Sequence, residues 1–449
     1  MVCPTLANMA ASGDWHVDKL ILENFRCFER LEVDFDPSLT VLVGVNGTGK
    51  TSVLDGLAVM LSTVLRQFEG STLGFKLGDA REVPYDLDSG SGVARMEPTY
   101  PVSAYVEGTL AGEVAWWRRV RQTASGRTSW ADRNTEVGHI AAQVWRDSDS
   151  DSVTAPMLPV IGLYGVERLL GVRRAAGAIS RSRSGAYDSA LDGKSDLVRL
   201  SKYIRGLTMA EFAADKRGSG GEAASEQLRA ISLAANEVLG HTGWHDPEWS
   251  PIVEEIAITH DQRGTLPLSS LSSGIKIAVG LVVDLVSRIA RANPRVGAED
   301  LLQRASGIVL IDEVDLHLHP TWQQRVLPQL RRVFPRIQFI VTTHSPQVLS
   351  TVNASEIRII DGNSVYSVDF AAGLRSDIVM AKVLGTDPEP ALPINEALDR
   401  YVEMVDSGQG RTGEATSLRI ELDQKLGGVA NVPKLADADA TMAFDELDV

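Results

Sequence analysis

Apolar and polar positions change period several times along this chain, and each change marks an element. From Lys19, LILENF and then LEVDF alternate, with Leu31, Val33 and Phe35 set against Glu32 and Asp34, which predicts two half-buried strands. TVLVG, residues 40–44, is instead a short unbroken apolar run ending in glycine, the pattern of a parallel strand buried on both faces. Behind it the period lengthens, and Val53, Leu54, Leu57, Met60, Leu61 and Val64 fall on one face of a helix. Residues 67–160 carry little helical signal; VSAYVEGTL and EVAWWRRVRQ read as strands separated by turn clusters such as DLDSGSG. A further apolar strand lies in LPVIGLYGV, followed by a Ser/Arg/Gly-rich loop. Residues 195–240 predict two amphipathic helices broken at KRGSGG. From Leu271 to Asp361 the α/β alternation returns, with helices at Ser273–Arg291 and Trp322–Val333 and strands at GIVLID and IQFIVTTH. The end of the chain predicts short helices, with Ile394, Leu398, Val402 and Val405 on one face of the first and Ala415, Leu418, Leu422 and Leu426 on one face of the second.

Composition narrows the class. The 449 residues are 44% hydrophobic and 23% charged, as in an ordinary globular protein. No stretch reaches the ~18 uninterrupted apolar residues of a membrane-spanning helix. Two cysteines, Cys3 and Cys27, build neither a disulfide framework nor a zinc site by themselves. The first 14 residues predict a loose leader without the charge and apolar core of a signal peptide, so the expected location is cytoplasmic, with no membrane partner. The net charge of −15 argues at first against nucleic acid. Its placement weakens that argument: residues 371–449 hold 15 acidic and 7 basic side chains, a net −8, against −7 for everything before them.

Four motifs carry chemistry. GVNGTGKT, Gly44 to Thr51, fits the phosphate-binding loop pattern in full and lies between an apolar strand and an amphipathic helix. Its glycines let backbone N–H groups turn toward phosphate oxygens. Gly44, Asn46, Gly47, Thr48, Gly49, Lys50, Thr51 and Ser52 are therefore the candidate nucleotide-binding residues, with Lys50 reaching the terminal phosphates and Thr51 ligating Mg²⁺. GIVLIDEVD brings Asp312 to the C-terminal end of a strand, where α/β sheets bind ligands, as a second Mg²⁺ contact. Beside it Glu313 is a candidate to polarise an attacking water. VTTHSP ends another strand at His344, whose imidazole can meet the γ-phosphate or that water, or simply cap a turn. LSSG, Leu271, Ser272, Ser273 and Gly274, opens a helix with free N–H groups, a weak motif by itself.

In this order, together with NFRCF at residues 24–28, the motifs resemble the ABC-type ATPases and their SMC-like branch. The resemblance implies an α/β P-loop head with a β-lobe, ATP and Mg²⁺ as cofactors, and Lys50 and Thr51 as Walker A. It makes Asp312 the Walker B residue, Glu313 the catalytic base, His344 the switch histidine and Asp315 part of the D-loop. It also implies that Leu271–Gly274 is a signature that contacts the nucleotide of a second copy, so that two heads enclose two ATPs. Two departures stand out. Ile275 and Lys276 follow the signature where the family has an acidic or amide residue, and neither Gln67 nor Gln122 is a convincing Q-loop glutamine.

The expected organisation is a leader (1–14), the first half of the head (15–164), a compact helical insertion (165–265), the second half of the head (266–362) and an acidic helical tail (363–449). So short an insertion leaves no room for a long coiled-coil arm. The run from Leu310 to Val352, with LPVIGLYGVER and LGTDPEP, resembles compact bacterial anti-phage ATPases of the Septu and retron-associated kind. That resemblance implies a homodimer or higher oligomer working with a separate HNH nuclease, or with retron RNA and DNA, and the acidic tail is the expected docking element for the nuclease. Two alternatives are a DNA-repair-type clamp using the basic stretches at residues 118–121 and 173–183, and a self-contained nuclease of the overcoming-lysogenization-defect kind using Asp437 and Asp439.

Overall fold

In the computed structural model, which describes residues 13–86, 95–130, 136–149, 155–167, 182–193 and 197–444, five parallel strands end along one edge of the head. The six-stranded sheet runs in the order Ser364–Tyr366, Ile357–Asp361, Leu39–Val43, Arg336–Thr342, Ser306–Ile311, Val160–Tyr164. All its pairings are parallel except that of the edge strand Ser364–Tyr366. Leu39–Val43 and Ser306–Ile311 are buried at every residue, as their unbroken apolar runs require. Non-consecutive strands lie side by side, so loops from distant parts of the sequence converge at their C-terminal ends.

A second sheet, antiparallel and five-stranded, orders Phe28–Asp34, His16–Phe25, Val102–Leu110, Glu113–Arg121 and Ser129–Trp130. The helix Lys50–Leu65 runs between the two sheets. Of its 16 residues only Thr51 and Asp55 escape burial. The expected single apolar face is therefore an underestimate; a helix covered by sheets on both sides must be apolar nearly all round.

Other differences have local causes. The expected helix Trp322–Val333 is two, Pro320–Gln323 and Val326–Val333, because Pro328 lacks the N–H that would bond back across the break. The segment expected to be a helical insertion does hold Leu197–Arg217 and Glu222–Leu239, but it closes with a three-stranded antiparallel sheet, Trp244–Ser250, Glu255–His260 and Gly264–Pro267. Its buried Trp244, Trp249, Ile256 and Ile258 are β-favouring residues. Glu136–Asp147 is an additional helix within the stretch read as poor in helical signal. The leader up to residue 12 and basic residues 173–181 lie outside the described residues.

The long helix that begins at LSSG, Ser273–Ala292, is fixed by a buried ion pair. Asp284 accepts from Arg288 Nε at 2.7 Å and from the Tyr164 hydroxyl at 2.9 Å. Arg288 also donates to the carbonyls of Ala186 and Asp188. Burial, with the Asp284 charge beside it, holds the Tyr164 hydroxyl well above the usual tyrosine range.

The chain divides into two compact units, Met1–Val379 and Met380–Val449. The second begins later than residue 363, because Ser364–Tyr366 still pairs with Ile357–Asp361 at the edge of the first unit's sheet. Within the second unit, Pro393–Asp406, Gly413–Leu426 and Pro433–Phe444 are helices around Leu398, Tyr401, Val405, Ala415, Leu418, Leu422, Leu435 and Ala438.

Asp284→Leu strands the Arg288 charge in the interior, which should cost about 3–5 kcal/mol. Chemical denaturation should show this loss, and the double variant Asp284→Leu/Arg288→Met should recover most of it.

Candidate functional site

The site forms where the converging loops meet. A cavity of about 370 Å³ is lined by Arg26, Cys27, Asn46, Gly47, Gly49, Lys50, Thr51, Ser52, Asp312, Glu313, Thr342 and His344. Strand Leu39–Val43 delivers the loop from Gly44, and Gly49 turns it into the helix with φ 94°. No other residue fits at Gly49, since a Cβ there would lie 2.3 Å from Phe28 Cζ and 2.6 Å from Cys27 Sγ. The NFRCF turn is thus the floor against which the loop is pressed.

Lys50 is buried, and its ammonium donates to the carbonyls of Gly44 at 2.8 Å and Val45 at 3.0 Å. Burial lowers its pKa, while the charges of Asp312 and Glu313 pull it back up. Asp312, also buried, divides its carboxylate between two hydroxyls. Thr51 Oγ1 donates to Oδ2 at 2.9 Å, and Thr342 Oγ1 donates to Oδ1 at 2.6 Å. Thr342 Oγ1 in turn accepts from the Glu313 backbone N–H at 2.7 Å. Glu313 holds φ 49°, a left-handed conformation unusual for a residue with a side chain. A hydroxyl and a carboxylate oxygen at hydrogen-bond distance beside a phosphate-type loop are the hard oxygen donors that Mg²⁺ takes. Among the described residues, no group of three or more His, Cys, Asp or Glu could hold a metal by itself. His319 accepts from the Thr321 N–H as the cap of Pro320–Gln323.

Leu271–Gly274 does not line this cavity. Ser272 and Ser273 are exposed at the start of Ser273–Ala292, while Gly274 is packed so closely that a Cβ would lie 2.5 Å from the His317 carbonyl. Asp315 lies on the loop between, where Thr343 Oγ1 donates to it at 2.5 Å.

Several residues at the site carried no role in the sequence reading. Arg26 lines the cavity from the NFRCF turn, its guanidinium donating to Asp55 at 2.6 Å and Asp79 at 3.0 Å. Burial opposes its charge, but Asp55 and Asp79 outweigh burial and raise its pKa. Thr342 and Thr343 read in the sequence only as part of a strand that ends at His344. The signal for Arg26 was present, since NFRCF belongs to the resemblance. The hydroxyls become legible only once Ser306–Ile311 is seen beside Arg336–Thr342. The position after Val160–Tyr164, next to the Asp312 strand, is Gly165-Val166-Glu167. These residues, with Arg26, Thr51 and Asp312, line an adjoining cavity of about 610 Å³.

Two domain models match the chain: one described as "AAA domain, putative AbiEii toxin, Type IV TA system" over residues 173–350, and an "AAA domain" over 19–110. The chain is 25% identical to the Retron Ec83 probable ATPase of Escherichia coli, over 94% of this chain and 86% of that protein. The chain is a P-loop ATPase. The ATPase is also 23% identical to the Septu protein PtuA of Bacillus mycoides, over 86% of its own length and 47% of PtuA. The SMC head domain from Thermotoga maritima aligns with a TM-score of 0.43 at 16% identity, covering 79% of the ATPase and 100% of that domain.

Gly49→Ala should weaken ATP binding by at least about tenfold, or 1.4 kcal/mol, because the methyl must displace Phe28 or the loop. Titration with a fluorescent ATP analogue measures it, and unchanged affinity would show that the loop tolerates the displacement.

Proposed function

We propose that this ATPase is the nucleotide-driven subunit of an anti-phage defence complex and controls a separately encoded effector. The observation that carries the reading is the Thr51–Asp312–Thr342 clasp beside the Gly44–Thr51 loop, in a chain similar along almost its whole length to a retron ATPase. In this reading Lys50 and the loop N–H groups bind the ATP phosphates, and Thr51 and Asp312 hold Mg²⁺. Glu313 orients the attacking water and His344 contacts the γ-phosphate. The bound metal neutralises charge on the β- and γ-phosphates. Ser272–Ser273, exposed and away from their own cavity, reach the nucleotide of a second copy. The acidic second unit is the proposed docking element for the effector, of the HNH type that the Septu resemblance implies; retron RNA or DNA is the other candidate partner.

Among the described residues, the alternatives lose part of their support. In the basic stretch at 118–121, Arg118 donates to Glu23 at 2.7 Å, and Arg119 is buried against the carbonyls of Val59 and Leu73, where burial brings its pKa down to about 10. Arg121 staples the carbonyls of Phe75 and Ala124. None of the three is a free cation for DNA. Asp439, half of the acidic pair suited to a nuclease, lies in a helix and is bonded through both oxygens to Arg419.

Glu313→Gln should keep ATP affinity while lowering turnover by at least about 100-fold, the scale of a lost general base. Normal turnover would remove Glu313 from the reaction. Expressed with its neighbouring genes in a phage-sensitive host, the wild type should reduce plaque formation, and Lys50→Ala should not. Equal protection by Lys50→Ala would reject a nucleotide-driven role.

A further inference from the structure

Three hydroxyl side chains, Thr342, Thr343 and Ser345, flank His344 in sequence, and each is committed to a different neighbour. Thr342 serves Asp312 and Glu313, as described above. Thr343 Oγ1 donates to Asp315 Oδ1 at 2.5 Å and accepts from the Ser345 N–H at 3.0 Å. Ser345 Oγ donates to Gln323 Oε1 at 2.7 Å and accepts from the Val348 N–H at 3.2 Å. Gln323 then returns to the loop, its Nε2 donating to the Leu318 carbonyl at 3.0 Å. Thr342, Thr343 and Ser345 are all buried, so these bonds do not compete with bulk water.

The His344 turn is thereby stitched at two points to the loop that follows Asp312. That loop is held in an unusual shape, with left-handed conformations at Glu313, φ 49°, and His317, φ 60°. Such backbone persists only where its surroundings over-determine it. The far end of the loop touches the signature, because the His317 carbonyl lies 2.5 Å from where a Cβ of Gly274 would be. A continuous packed and hydrogen-bonded path thus leads from His344 through Thr343–Asp315 and Ser345–Gln323 to the N-terminus of Ser273–Ala292, where Ser272 and Ser273 are exposed.

We infer that Thr343 and Gln323 are positioning residues that make the His344 turn and the Ser272–Ser273 surface move as one. A γ-phosphate met by His344 in one copy then sets the surface offered to the second copy's nucleotide, and the two sites act cooperatively. The inference rests on the two-copy reading given above. Neither residue lines the nucleotide cavity, so neither has direct contact with ATP in this reading.

The test compares Thr343→Val, Thr343→Ser and Gln323→Met with wild type in the full-length protein. ATP affinity, kcat, the Hill coefficient of ATP hydrolysis and thermal melting are measured for each. Thr343→Val and Gln323→Met should bind ATP within about twofold of wild type, lose at least about tenfold in kcat and show a Hill coefficient falling toward 1. Thr343→Ser, which keeps the hydroxyl, should restore both. If Thr343→Val melts early, Gln323→Met carries the same comparison. Unchanged kcat and Hill coefficient in the folded variants would overturn the inference. So would a loss of kcat matched by an equal loss of affinity that serine does not rescue. Failure of the two-copy reading shows separately, in wild type alone: a protein that stays monomeric with ATP and turns over in proportion to its concentration.

Discussion

The architecture of the site depends on one carboxylate. Asp312 is buried at the end of its strand, and an uncompensated charge there would be expensive. Its two oxygens are met by Thr51, from the helix after Leu39–Val43, and by Thr342, from the end of Arg336–Thr342. Three neighbouring stretches of the sheet are therefore tied at their C-terminal ends through side chains as well as through the backbone ladder. Because Thr342 also accepts the Glu313 N–H, the same bond that satisfies Asp312 fixes the backbone of the residue proposed to act on water. The conformation of the loop at Glu313 is a by-product of solving a desolvation problem.

The rest of the head supports that arrangement from behind. Trp117, buried in the five-stranded sheet, donates from its indole to the Met60 carbonyl, and Arg119 donates to that of Val59. The antiparallel sheet thus fastens the far half of the helix whose first turn presents Lys50 and Thr51. On the other side, Tyr164, Asp284 and Arg288 join the strand beside Asp312 to the helix Ser273–Ala292. Polar groups buried in pairs at these junctions specify how the layers sit; the apolar cores alone would tolerate sliding.

Much of this was legible in the sequence, and the limit has a physical reason. The phosphate loop, the Asp312 strand and the His344 strand each announce themselves locally, through glycine spacing and apolar runs closed by a polar residue. Nothing local reveals that Thr342 belongs to Asp312, because 30 residues separate them and only sheet order makes them neighbours. The three-stranded sheet at 244–267 was missed because two clear helices just before it set the expected period. Its bulge between His245 and Glu248 also breaks the alternation that would have disclosed it. Asp439 shows the converse. Asp439, half of the acidic pair in the sequence, is a partner for Arg419 in the structure.

The helix Lys50–Leu65 meets water at only two residues, both within its first two turns. A rod clamped between two sheets over the remainder of its length cannot bend, slide or rotate without disturbing both. Strain delivered at its tip is therefore not absorbed along it. The helix acts as an anvil, and displacement falls instead on the turns and loops around it: the NFRCF turn, the loop from Glu313 to His319, and the His344 turn.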